Sequence, residues 1–259
     1  MAQHAGHQGI KAQGARPSAW FSMMTRNIMK LLLTSAGISN TSIENALVDL
    51  LGKPVTEASA LFIPTAIWAL PKGADLGSRV LRGLLGDPFC DMGWKSLGVL
   101  ELTALPSIRK EYWISLLQET DALLVGGGDC QYLTYWMRHS GLADLLPLLL
   151  QKTVYVGLSA GSMIMTRFGT TYGGHTLPAD SDKALGLIDI AIHPHLDHES
   201  FPDNSRANLE KLAATIPLPS YAIDDQTAIK VVDGAIEVVS EGNWKLFTPD
   251  TERFRGSLA

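Results

Sequence analysis

Gly157-Leu158-Ser159-Ala160-Gly161 holds the residues of this 259-residue chain best spaced to do chemistry. A serine between glycines at this spacing matches a strand-to-helix turn that holds its hydroxyl exposed at a helix N-terminus. The glycines matter because side chains would collide on so sharp a turn. Ser159 is therefore the candidate nucleophile, and the Ala160 backbone N–H can point at a developing oxyanion. The bland alternative is a serine that merely caps a helix. A second glycine turn, Gly126-Gly127-Gly128-Asp129, follows an apolar run and exposes bare N–H groups. The Gly127 N–H is the candidate second oxyanion donor, at the sheet edge where ligands bind in open α/β folds. No Gly-Lys-Ser/Thr follows, which makes a phosphate loop a poor reading.

A serine needs a base to be nucleophilic at neutral pH. Three histidines cluster in His193-Pro194-His195-Leu196-Asp197-His198, directly after the strand pattern at 188–192. That placement predicts an imidazole at the same sheet edge as Ser159. His195 is the expected base, with His193 and His198 as alternatives. Elsewhere, His4 and His7 lie near the N-terminus, His139 ends a helix pattern, and His175 lies in a Gly/Thr-rich loop. The cluster could also be read as a metal site with Asp197, but no second group of ligands completes it, so no metal or other cofactor is expected. For the acid that orients the base, Asp225 is the first candidate, and Asp224 beside it is hard to separate by sequence. The order serine, histidine, acid disfavours an ordinary α/β-hydrolase, in which the histidine comes last.

These residues need a scaffold that ends several strands at one place. Strand patterns at 30–34, 60–64, 97–102, 122–125, 154–157, 188–192 and 221–223 alternate with helix patterns at 42–51, 74–85, 108–119, 131–139 and 204–214. Several of these strands are apolar on both faces, as in a covered parallel sheet. The alternation predicts a doubly wound, mostly parallel α/β sheet flanked by helices. A C-terminal antiparallel hairpin is expected over 228–239, turning at Asp233-Gly234.

Composition is consistent with this. Hydrophobic residues make up 46% and charged residues 18%, and the net charge of −5 gives no global basic field to recruit nucleic acid. Two cysteines, Cys90 and Cys130, form no C-x-x-C pair, which predicts a reducing, cytoplasmic setting. No apolar run approaches the ~20 residues of a membrane span. The first 30 residues carry Lys11, Arg16, Arg26 and Lys30 and no acid, leaving 17 positive against 26 negative charges in the rest. Residues 1–28 read as a disordered extension or tag, and 29–259 as one domain. An acidic surface is compatible with monomer or homodimer.

From residue 29 to residue 247 the chain resembles the peptidase E group of serine peptidases, which includes aspartyl dipeptidase and cyanophycinase. The resemblance rests on Val125-Gly-Gly-Gly128, Gly157-x-Ser-Ala-Gly161 and Ile192-His-Pro-His195, in that order and spacing. It implies a fold like class I glutamine amidotransferases, with Ser159 as nucleophile, His195 as base, Asp225 as third member, and Gly127 and Ala160 as oxyanion donors. Cysteine stands at the elbow in the amidotransferases, so Ser159 argues against ammonia transfer.

The departures concern substrate. Aspartyl dipeptidases commonly have Asn where this chain has Asp129, and an acidic residue near 173–178, where this chain offers His175. Arg206 is the possible counterpart of the arginine that reads an aspartyl side chain; a surface helix arginine is the alternative. The expectation is a serine exopeptidase acting on dipeptides or very short peptides. Its rivals are a non-peptide amidase or esterase on the same site, and a catalytically idle ligand-binding domain.

Overall fold

The computed structural model describes residues 29–84, 89–168 and 184–249. The N-terminal extension, His175 and the 173–178 loop lie outside them. The described strands are, in chain order, β1 (Lys30–Thr34), β2 (Ser59–Ile63), β3 (Ser96–Val99), β4 (Ala122–Val125), β5 (Val154–Leu158), β6 (Ala191–His193), β7 (Ser220–Ile223), β8 (Thr227–Val232), β9 (Ala235–Ser240) and β10 (Trp244–Phe247). The helices are α1 (Thr41–Leu51), α2 (Thr65–Trp68), α3 (Gly73–Leu81), α4 (Lys110–Gln118), α5 (Cys130–His139), α6 (Leu142–Leu149), α7 (Ala160–Met163) and α8 (Arg206–Ala213).

Seven strands form one sheet in the order β3-β2-β4-β5-β1-β8-β9. The first five are parallel, and β8 and β9 close the far side antiparallel. Alternate residues of the central strands feed two cores. Leu31, Leu33, Leu123, Val125 and Tyr155 pack with Trp113 and Leu117 of α4 and Leu133 and Met137 of α5. Leu32, Leu124, Val154 and Val156 pack on the other face with Ile43 and Leu47 of α1 and Val80 of α3. Both faces are thus covered, which is why these strands read as continuous apolar runs.

Local chemistry ends the elements. Asn40 caps α1 by accepting from the Ile43 N–H at 2.9 Å, and Gly52 closes it in the left-handed region at φ 69°. Asp233 (φ 53°) and Gly234 (φ 78°) form the expected turn between β8 and β9, both with the positive φ of a two-residue hairpin loop.

Three expectations need correction. The strand expected at 188–192 is shorter and later, Ala191–His193, and it does not join the large sheet: β6 pairs with β7, and β10 with β7, in a separate three-stranded sheet. Apolar runs signal burial, not which sheet will bury them. The helix expected after Ser159 is the single turn α7, continued by tighter bonds such as Met165 N–H to Ser162 C=O. Helix α6 was not expected, because Pro147 inside it breaks the usual helix pattern.

Candidate active site

Ser159 stands where β5 meets α7, with φ 49° and ψ −109°. A non-glycine residue is held there only when its surroundings over-determine it, and they do. A β-carbon on Gly157 would lie 2.7 Å from the Gly161 backbone, and one on Gly161 would lie 2.1 Å from the Val125 carbonyl oxygen. The Ser159 N–H donates to Thr34 C=O at 3.1 Å. Ser162 Oγ donates to the same carbonyl and Thr34 Oγ1 to Gly157 C=O, both at 2.7 Å. The end of β1 thereby clamps the turn from the side, and the buried Tyr155 hydroxyl holds Gly161 C=O at 2.6 Å from below.

The small sheet brings the rest. His195 Nε2 lies 2.9 Å from Ser159 Oγ, and His195 Nδ1 lies 2.7 Å from Asp225 Oδ1. A carboxylate beside Nδ1 fixes the proton there, leaving Nε2 to accept from the serine. Ser35, just past β1, donates from Oγ to Asp225 Oδ1 at 2.7 Å and accepts from the His195 backbone N–H at 2.8 Å. Ser39 Oγ donates to Asp225 C=O at 2.6 Å. Burial works to raise the Asp225 carboxyl, but hydrogen bonds from His195 and Ser35 and the charges of His195 and His198 outweigh it and hold it below the usual range.

Asp224 points elsewhere. Its carboxylate accepts from the Gln226 and Asn243 backbone N–H groups and from Thr227 Oγ1, so it organises its own turn. His198 accepts a backbone N–H from Ser200 on Nδ1, which turns Nε2–H toward Asp225 Oδ2, 3.6 Å away. His193 is 4% exposed and its Nε2 has no hydrogen-bond partner among the described residues; burial pushes it down to about 4, so it is neutral in the fold. Among the described residues no three His, Cys, Asp or Glu side chains converge as a metal site.

The expected sheet-edge placement of the histidine is revised: His195 reaches Ser159 from the second sheet, across the gap, at a positive φ of 59°. Gly127 lies against the elbow, where an added β-carbon would come within 2.7 Å of Leu158 and 3.2 Å of Ser159 Cβ. Neither the Gly127 nor the Ala160 N–H donates to a backbone carbonyl among the described residues.

Beside Ser159 and Gly127 opens a cavity of about 310 Å³. Phe62, Ile67, Leu76, Val80 and Phe89 line it, and Phe201 stacks on the His195 ring with centroids 4.3 Å apart and planes 10° apart. Asp129 and Arg206 are not among its lining residues. Asp129 is buried and caps α5, accepting from Tyr132 N–H at 2.7 Å; Arg206 is exposed at the start of α8. Sequence reasoning passed over Ser35, Phe201 and the apolar wall. Only for Ser35 was there a signal: it directly follows the strand paired with the elbow strand.

The chain is 28% identical to peptidase E of Shewanella denitrificans over 229 residues, 85% of this chain and 91% of that protein. Its fold is similar to that of a Listeria monocytogenes EGD-e protein described as a "putative peptidase E", at 18% identity and TM-score 0.61, covering 83% of this chain and all of that one. It is similar also to a peptidase from an acI-B1 actinobacterium, at 16% identity and TM-score 0.59, covering 88% and 98%. Peptidase family S51 matches residues 31–239, a span that contains the elbow, the histidine turn and Asp225. The chain belongs to peptidase family S51 and is a serine-type peptidase.

Proposed function

We propose that Ser159, His195 and Asp225 are the catalytic triad of an exopeptidase that hydrolyses dipeptides or very short peptides. The observation that carries this reading is the unbroken row from Ser159 Oγ through His195 to Asp225, at 2.9 and 2.7 Å, built on a strained elbow. Ser159 Oγ attacks the scissile carbonyl as His195 Nε2 takes its proton. The same nitrogen returns the proton to the leaving amine, and water then releases the acyl group by the reverse sequence. Asp225 holds the Nδ1–H tautomer and stabilises the imidazolium. The Gly127 and Ala160 N–H groups, uncommitted to backbone carbonyls among the described residues, are the oxyanion donors. Protein groups and water handle every proton and charge in this scheme.

A cavity of about 310 Å³ is at the small end of ligand pockets and suits a substrate of dipeptide size. The relative named peptidase E supports the same reading. Having only two cysteines, Cys90 and Cys130, in no C-x-x-C pair supports a reducing, cytoplasmic setting, with the protein acting as monomer or homodimer. The test is hydrolysis of a dipeptide panel by wild type and by Ser159→Ala. Activity should fall by about 10⁴-fold or more with the fold intact; a fully active Ser159→Ala enzyme would sink the assignment.

A further inference from the structure

The cavity beside Ser159 is mostly apolar; the polar side chains among its described lining residues are Ser159, His195 and Asn204. Its apolar lining includes Ile67 of α2, Leu76 and Val80 of α3, and Phe62 and Phe89. The two phenylalanines are each 1% exposed and meet edge to face with centroids 6.5 Å apart. No Lys, Arg, Asp or Glu is among its described lining residues. The wall is continuous with the glycine turn. A β-carbon on Gly128 would lie 2.2 Å from Ala66 C=O in α2, and one on Gly126 would lie 3.2 Å from the Phe62 ring. The turn that presents the Gly127 N–H is therefore packed directly onto the apolar wall. In the triad scheme an oxyanion at Gly127 belongs to the acyl half of the substrate. The lining residues of α2 and α3 are therefore on offer to the side chain next to that carbonyl.

We infer that this cavity is the acyl-side specificity pocket and that it takes an aliphatic or aromatic substrate side chain, not an acidic one. The inference rests on the proposed function and adds the class of substrate. An apolar side chain gains from leaving water there, by about ten- to a hundredfold for a leucine- or phenylalanine-sized group over hydrogen. A carboxylate entering the same space would lose its hydration with no cation among the described lining residues to replace it.

The experiment separates pocket from machinery. A fluorophosphonate probe reports whether Ser159 is nucleophilic. α-Aminoboronic acids with glycine, leucine, phenylalanine and aspartate side chains then compete for that labelling. The expected result is labelling of Ser159, with the leucine and phenylalanine compounds blocking it at least tenfold more tightly than the glycine compound and the aspartate compound weakest. Labelling that the aspartate or glycine compound blocks as well as the apolar ones, or that none blocks, overturns the pocket and leaves the nucleophile standing. A Ser159 that is never labelled overturns both. Leu76→Arg, at a half-buried position on α3, gives a second reading: it should narrow or invert the leucine-over-aspartate preference, and an unchanged preference counts against the pocket.

Discussion

Replacing Ser35 with alanine should disable the row of hydrogen bonds without touching any of its three members. The Ser35 hydroxyl is wholly buried and does two things: it donates to Asp225 Oδ1 at 2.7 Å and accepts the His195 N–H at 2.8 Å. The first is a bond to a charged group, worth about 1.5–3 kcal/mol. Losing the second leaves a backbone N–H without its partner, costing about 1–3 kcal/mol. Together the change should cost about 3–5 kcal/mol, a large fraction of the about 5–15 kcal/mol that a folded domain has in reserve. For turnover, a displacement of about 1 Å at the imidazole is enough for about a hundredfold loss. The assays are urea unfolding, and kcat per fluorophosphonate-labelled serine, so that unfolded protein does not count as slow enzyme. Expected are a lower unfolding midpoint and a kcat reduced about 10- to 100-fold with KM within a factor of about three. Wild-type kcat per labelled site, with unfolding free energy within about 0.5 kcal/mol of wild type, would refute the account of Ser35 as the support of His195 and Asp225.

Gly161→Ala places a β-carbon 2.1 Å from the Val125 carbonyl oxygen, so β4 and α7 must part; about 3 kcal/mol and a melting temperature lower by about 6–12 °C are expected. Gly52→Ala, where nothing lies within 4 Å, should cost only the left-handed backbone, about 1–2 kcal/mol; equal melting temperatures for the two variants would count against the steric argument. His193 is held at about 4 when folded and near 6.5 when unfolded. Between those values the unfolded chain binds the extra proton, so stability falls as pH drops from 6.5 toward 4. At about 1.4 kcal/mol per pH unit the loss is about 3 kcal/mol. Urea unfolding of wild type and His193→Leu across pH 7 to 4 should show wild type losing that much more; parallel losses would rule out the buried neutral imidazole.

The elbow was legible because its chemistry is local. A strand, two glycines, a serine and a helix start are consecutive, and the glycines have contacts that no larger residue could make. The His195 turn was legible for the same reason, but the route by which it reaches Ser159 was not. Nothing in Ala191–His193 or Ser220–Ile223 says that these strands will pair with each other and with Trp244–Phe247 and not extend the large sheet. Asp224 and Asp225 were inseparable because adjacent carboxylates on a turn differ only in where they point; the Gln226, Thr227 and Asn243 donors settle the direction of Asp224. Ser35 lies 190 positions before Asp225, and only the fold makes them neighbours. Asp129, which stands where aspartyl dipeptidases commonly have Asn, carries the signature of a helix cap at a buried strand-to-helix turn.

Asp225 lies on the short link between β7, the middle strand of the small sheet, and β8, a strand of the large one. Three residues, 224–226, thus carry the chain from one sheet to the other, and the carboxylate is the midpoint of that crossing. The link works as a spacer of fixed length. One inserted residue would slide β8 against β1, turning its core-facing side chains outward, and would draw the carboxylate away from the imidazole in the same stroke. Length variation among descendants of this sequence should therefore be barred from 224–226, yet tolerated a few residues later at Asp233-Gly234, where nothing lies within 4 Å of an added side chain on Gly234. Here the boundary between the sheets is also a ruler for the chemistry, and drift in loop length is constrained from both sides at once.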